Sequence, residues 1–254
     1  MSKVTRFIER ATLRTMPPRV SRSIGAAAGF LVPARRSYSQ YGEDLVLTSF
    51  FENAGIRAGV YVDIGAFHPR WLSNTHLLSQ RGWSGVVVDV DPEKVRLCER
   101  RRGCTGIVGA VVPDSSTSEV DFYRFARLWS EIDTVSHEDA VEQSARTGLP
   151  FTRESVPAIA VTDLLNGAME AHGRVDLLNI DVEGLDELLL AAIDLDRFDL
   201  GVVCFENNTE FGGSAAVREL LASNAYVHLM TSGGSQMYAR KDLADAAGRR
   251  QGRG

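Results

Sequence analysis

The run Val60-Tyr61-Val62-Asp63-Ile64-Gly65-Ala66-Phe67-His68-Pro69 constrains the fold more than any other stretch of the chain. Val60 and Val62 suit a buried strand and Asp63 falls near its carboxyl end. Gly65 lets the backbone turn tightly and approach a ligand with no Cβ in the way. A strand ending in a carboxylate and a glycine turn is how a sheet opens to admit a nucleotide-like ligand. No G-x-G-x-x-G is present here, which disfavours a dinucleotide pyrophosphate held on a helix N-terminus.

The same pattern recurs along the chain. Gly85-Val86-Val87-Val88-Asp89 reads as a second buried strand, followed by Asp91 as N-cap and Pro92 at the first position of a helix running to Arg101. The third strand spans 106–112, and 119–125 reads as an edge or accessory strand. A fourth strand ends at Asp181, and a fifth, Gly201-Val202-Val203-Cys204-Phe205-Glu206, ends at Glu206. Between them lie helices carrying Leu164, Leu165, Ala168 and Met169, capped by Thr162 and ended by Gly173, and then Leu185, Leu188, Leu189 and Ala192. Before the first strand, Leu45, Val46, Ser49 and Phe50 form one stripe of a helix closed near Gly55. After the fifth, a helix over 215–224 leads into a hairpin turned by Gly233-Gly234. From 128 to 157 periodicity fades, and a long connection carrying Trp129, Ser130 and His137 is expected to cover a substrate. Alternating strand and helix predicts an α/β, doubly wound, mainly parallel sheet with an antiparallel C-terminal hairpin.

With 254 residues and 44% hydrophobic content, one sizeable core is expected. The organisation read from the sequence is a basic leader over 1–36, a catalytic domain over 37–240 and a polar tail over 241–254. A net charge of -5 gives no reason to propose nucleic acid. Lys3, Arg6, Arg10, Arg14, Arg19, Arg22, Arg35 and Arg36 face only Glu9 in the leader, so the body is more acidic than the total. The apolar run 24–32 is shorter than the roughly 20 residues a bilayer span takes. A flexible leader, a helix packed on the body, a signal-peptide core, and a basic segment resting on a membrane surface or a partner all stay open for it. Cys98, Cys104 and Cys204 form no C-x-x-C pair, and the cytoplasm is the expected compartment.

In an open sheet of this kind ligands bind at the carboxyl ends of the strands, beside the switch in strand order. Asp63, Asp89, Asp181 and Glu206 all lie at such ends, and Asp89 has the spacing from Asp63 of a ribose-binding acid. A cofactor without a diphosphate, such as S-adenosylmethionine, suits this layout.

Ser39-Gln40-Tyr41-Gly42-Glu43-Asp44, Val62-Asp63-Ile64-Gly65-Ala66, Gly82-Trp83-Ser84-Gly85 with Asp89 and Pro92, and Ile180-Asp181-Val182-Glu183-Gly184 together resemble the FkbM-type S-adenosylmethionine-dependent methyltransferases. The resemblance covers roughly 37–240 and implies a class I methyltransferase sheet that typically serves O-methylation of sugars or natural-product hydroxyls. It implies Asp63, Gly65 and Ala66 at the methionine end of the cofactor, Asp89 at its ribose, and Gly109 and Ala110 by the adenine. Asp181 with Glu206 and Asn207 also resembles the magnesium-binding layout of catechol-type O-methyltransferases, where a hard cation lowers a hydroxyl pKa. Without metal, His68, Asp181 or Glu183 is expected to remove the acceptor proton. His76 is a weaker histidine choice, and Trp71 and Trp129 are placed to stack on a sugar ring. The competing readings are a noncatalytic binding or scaffold protein of the same fold acting through its basic leader, and an NAD-dependent sugar enzyme, which the missing glycine fingerprint disfavours.

Overall fold

β1 (Val60–Ile64) is buried at every residue, as only a strand covered on both faces can be. The computed structural model of the chain describes residues 35–126, 130, 132–182, 184–206 and 214–251. The expected site residues Glu183 and Asn207, Trp129 and the apolar run 24–32 lie outside them. Residues 37–254 form one compact unit.

In chain order the first elements are α1 (Glu43–Ala54), β1, α2 (His76–Ser79), β2 (Ser84–Asp89), α3 (Pro92–Arg102) and β3 (Thr105–Val108). β4 (Ala110–Val112), β5 (Glu119–Phe125), α4 (His137–Thr147), β6 (Phe151–Ala160) and α5 (Val161–His172) follow. The last are β7 (Leu177–Ile180), α6 (Asp186–Ala191), α7 (Leu195–Phe198), β8 (Val202–Glu206), α8 (Ala215–Ser223), β9 (Tyr226–Ser232), β10 (Ser235–Arg240) and α9 (Lys241–Gln251). The main sheet has seven strands in the order β3-β2-β1-β7-β8-β10-β9. The first five pair in parallel, and β10 runs antiparallel to β8 and β9. The chain winds outward from β1 to β3, then returns to the other side of β1 at β7. The switch in strand order therefore lies between β1 and β7, where a ligand crevice opens.

Alternation along β1 divides the core into two layers. Val62 and Ile64 join Leu178, Ile180, Val203 and Phe205 beneath α5, α6 and α8. Tyr61 joins Val87, Leu177 and Val202 on the opposite face, beneath Leu47 and Phe51 of α1 and Cys98 of α3. Burying a side chain such as Leu178 or Ile180 contributes about 2 kcal/mol. The buried stripe of α1 is Leu47, Thr48 and Phe51, rotated from the expected Leu45, Val46, Ser49 and Phe50, because Glu43 and Asp44 also turn inward. Asp44 accepts from Ser37 Oγ at 2.7 Å, Ser39 Oγ at 3.0 Å and Tyr38 N at 2.7 Å, so this buried carboxylate ties down the segment before the helix.

Asp91 caps α3 as expected, its Oδ1 accepting from Glu93 N at 2.8 Å with Pro92 in the first turn. Thr162 does not cap α5: the N-cap is Ala160, and Thr162 lies inside the first turn. The expected third strand breaks at Gly109. β3 stays in the main sheet, while β4 joins a second sheet in the order β4-β6-β5. That sheet and α4 occupy much of the expected long connection. β6 is exposed or half-buried except at Val156 and Ala160 and includes Pro157, the pattern of a largely solvated strand. The expected polar tail forms α9, which packs beside α1 with Ala247 buried and Ala244 against the core.

Candidate active site

A cleft of about 270 Å³ runs along the carboxyl ends of β2, β1, β7 and β8. Gly65 opens it. At φ +83° it holds a left-handed turn, and a Cβ there would overlap the carbonyl oxygen of Asp181. Gly65 N donates to Val88 O at 2.9 Å and Asp181 N to Ile64 O at 3.0 Å, which fixes the loops after β1, β2 and β7 against one another.

Asp89, at the end of β2, lines the cleft, and its Oδ1 accepts from Asp91 N at 2.8 Å. Burial pushes its pKa up and the nearby Lys94 ammonium opposes the rise. Gly109 and Ala110 line the same end beside Val90 and Val111. The sequence reading did not assign Asp133, Thr134 and Val135, which close this end from above. Thr134 exchanges two backbone hydrogen bonds with Tyr123 of β5, at 2.8 and 3.2 Å, and Asp133 Oδ1 accepts from Phe125 N at 2.9 Å. Their signal was only the expected covering role of the long connection.

Asp63 does not line the cleft. Within β1 it points with Tyr61 to the face opposite Val62 and Ile64, where Oδ1 accepts from Asn179 Nδ2 at 2.9 Å. Its Oδ2 accepts from Thr75 Oγ1 and from Arg102 Nη1 at 3.3 Å. Ala66 is likewise packed in the core, against Cys98. Both residues support the glycine turn from below instead of forming its inner wall. His68 is also outside the lining: its Nδ1 accepts from Arg70 N at 3.1 Å and Trp71 N at 2.8 Å, organising its own turn. Burial and the Arg102 and Arg70 charges lower its pKa. His76 lies on α2, edge-on to Tyr38 at 4.6 Å, and is also absent from the lining.

At the other end Asp181 and Glu206 meet. Both line the cleft, and they lie close enough for the Asp181 side chain to bear on the Glu206 pKa through a hydrogen bond. Burial raises the Glu206 pKa, the Asp181 bond lowers it, and the Glu43 charge raises it. Two further acids went unassigned in the sequence reading. Glu43 is 1% exposed and lines the cleft from the start of α1. Asp186 is buried behind the site, with Oδ1 accepting from Glu206 N at 3.2 Å and Oδ2 from Val182 N at 3.4 Å. Burial pushes its pKa up to about 7. The signal for Glu43 was present in the Ser39–Asp44 motif, whereas Asp186 looked like an ordinary first-turn acid.

Among the described lining residues, Glu43, Asp89, Asp133, Asp181 and Glu206 are acidic and Lys94 alone is basic, so the cleft favours a cationic guest. Among the described residues no three His, Cys, Asp or Glu side chains converge as metal ligands.

A parallel sheet in this order, ended by an antiparallel hairpin and opened at the β1–β7 switch point, is the class I methyltransferase fold. The methyltransferase FkbM domain model matches residues 63–228, and the chain belongs to that family. No curated protein matches the chain. Among solved structures it is similar to a TehB-like SAM-dependent methyltransferase from Corynebacterium glutamicum, at 13% identity and TM-score 0.38, covering 89% of this chain and 100% of that one. A methyltransferase from Geobacter sulfurreducens matches at 10% identity and TM-score 0.40, over 95% and 98% of the two chains. An O-methyltransferase from Bacillus cereus in complex with SAH matches at 12% identity and TM-score 0.35, over 94% and 96%.

Proposed function

We propose that the chain is an O-methyltransferase that methylates a hydroxyl of a sugar, glycolipid or natural-product precursor. The observation that carries the reading is the cleft that joins Asp89, Gly65, Gly109 and Ala110 to the carboxyls of Asp181 and Glu206. Bound S-adenosylmethionine supplies a methyl group already activated by its sulfonium. Asp89 accepts from the ribose hydroxyls, Gly109 and Ala110 leave room for the adenine, and Gly65 lets the backbone approach the methionine end. The acidic lining compensates the cofactor's positive charge.

What remains for the protein is to orient a hydroxyl and take its proton. A carboxylate at this end of the cleft, Asp181 or Glu206, does so in this reading. Asp186, beneath Glu206 N, holds that strand end in place. Trp71, 51% exposed and 5.6 Å from the cleft-lining Phe67 ring, offers an aromatic face to a sugar at the rim. Glu183 stays a proposed base on its place just after the fourth strand, and Asn207 a proposed metal ligand on the sequence resemblance alone. The basic leader, as a peripheral membrane or partner contact of a cytoplasmic enzyme, rests on its charge pattern.

Tritiated methyl transfer from S-adenosylmethionine into lipid, polysaccharide and small-molecule fractions of the source cells tests the reading. Label in a polar-lipid, polysaccharide or hydroxylated small-molecule fraction, stable to alkali as an ether, is expected. Label confined to protein or nucleic acid would refute it.

A further inference from the structure

We infer that Glu43 holds the methyl acceptor through a hydroxyl or ammonium donor next to the atom that is methylated. The inference rests on the methyltransferase reading above and concerns the half of the cleft that the cofactor leaves open.

Glu43 is almost fully buried, yet it lines the cleft. Its Oε2 accepts from Tyr41 N at 2.8 Å, and Oε1 has no hydrogen-bond partner among the described residues. A carboxylate oxygen left open at the cleft wall is a ready acceptor for an arriving donor.

Its location decides which ligand supplies that donor. Tyr41, two residues away, lies against the β9–β10 turn: a Cβ at Gly233 would overlap its ring, and Ser232 Oγ donates to Tyr41 O at 3.3 Å. Glu206 stands beside the same turn, since a Cβ at Gly234 would come 2.8 Å from Glu206 Oε1. The Glu43 charge is felt at Glu206. Glu43 thus stands over β8 and β10, on the far side of β7 from Asp89, Gly109 and Ala110. Gln40 and Ser235 line this half as well. With no basic side chain among its described lining residues, this half selects a donor-rich group and disfavours a carboxylate or phosphate beside the methylated atom.

The cofactor's own ammonium is the other source of such a donor, and two variants separate the cases. Purified Glu43→Leu and Glu43→Gln are titrated with S-adenosylhomocysteine and with 5′-methylthioadenosine, which lacks the amino-acid end, and assayed for tritium transfer into the source-cell fraction that the native protein labels. Retained S-adenosylhomocysteine affinity, within twofold, also reports that the fold is intact. The expected result is that affinity together with at least tenfold less transfer by Glu43→Leu at limiting acceptor, partly recovered at higher acceptor and in Glu43→Gln. Unchanged transfer overturns the inference, and so does a tenfold loss of S-adenosylhomocysteine affinity with 5′-methylthioadenosine unaffected, which assigns Glu43 to the cofactor. A native protein that binds neither compound refutes the methyltransferase reading itself.

Discussion

Asp63 and Arg102 form an ion pair at 3.3 Å with only 5% and 1% of their side chains exposed. Arg102 uses its whole fork there: Nε donates to Pro69 O at 2.8 Å, Nη1 also to Thr75 Oγ1 at 2.9 Å, and Nη2 to His68 O at 3.0 Å and Ser73 Oγ at 2.6 Å. One guanidinium from α3 therefore fixes the loop between β1 and α2, which carries the cleft residues Phe67, Leu72 and Asn74. Leu72 sits at φ 51°, a left-handed conformation that leucine holds only when its surroundings impose it.

Breaking that pair leaves a buried charge uncompensated, at a cost of about 3–5 kcal/mol. Arg102→Met is expected to lower the urea midpoint accordingly. Arg102→Lys is expected to recover little, because an ammonium cannot match five directed donors. Equal stability of Arg102→Lys and the native protein would contradict this role.

Gly65→Ala combines a left-handed φ with overlap on the Asp181 carbonyl. The backbone term alone costs roughly 1–2 kcal/mol, and relieving the overlap pushes the β1 and β7 loops apart. Cofactor affinity is expected to fall at least tenfold, measured by S-adenosylhomocysteine calorimetry. Gly167→Ala, on α5 with open space around it, is expected to leave that affinity unchanged.

Asp186 gives the stability a pH dependence. Its folded-state pKa of about 7 lies above the ordinary 3.8, so between these values the folded chain holds a proton that the unfolded chain has released. Its contribution is therefore most favourable at low pH and is lost as pH rises through about 7. Asp186→Asn is expected to flatten this slope, changing the difference between pH 5 and pH 8 by on the order of a few kcal/mol. Parallel slopes for both proteins in denaturation series across that range would show that Asp186 titrates normally.

The two proposed sources of the base make opposite demands. Glu206→Gln is expected to reduce methyl transfer by a factor of roughly a hundred or more while S-adenosylhomocysteine still binds. His68→Asn is expected to retain transfer within about threefold, an order-of-magnitude allowance for loss of its turn contacts. The reverse pattern would return the proton to His68.

The succession of strands and helices and the acid-ended strands were legible because they depend on local pattern: Asp91 before Pro92, Gly55 and Gly173 after helices, and Gly65 after β1 all act within a few residues. Asp63 was not, since its neighbours in sequence say only that it alternates with Val62 and Ile64, and the face that meets the cleft is set by the distant Arg102, Thr75 and Asn179. Glu43 and Asp186 read locally as first-turn helix acids, and only tertiary packing buries them. β6 escaped because its polar alternation and Pro157 suit a loop as well as a solvated strand, and α9 because a short face of Leu243, Ala244 and Ala247 carries its contacts.

The central claim is that one cleft holds the cofactor with Asp89 at its ribose. Calorimetric titration of S-adenosylhomocysteine into the native protein and Asp89→Ala tests it. Saturable one-to-one binding by the native protein, weakened at least tenfold in Asp89→Ala, is the expected result, whereas no binding, or equal binding by both, would contradict the claim.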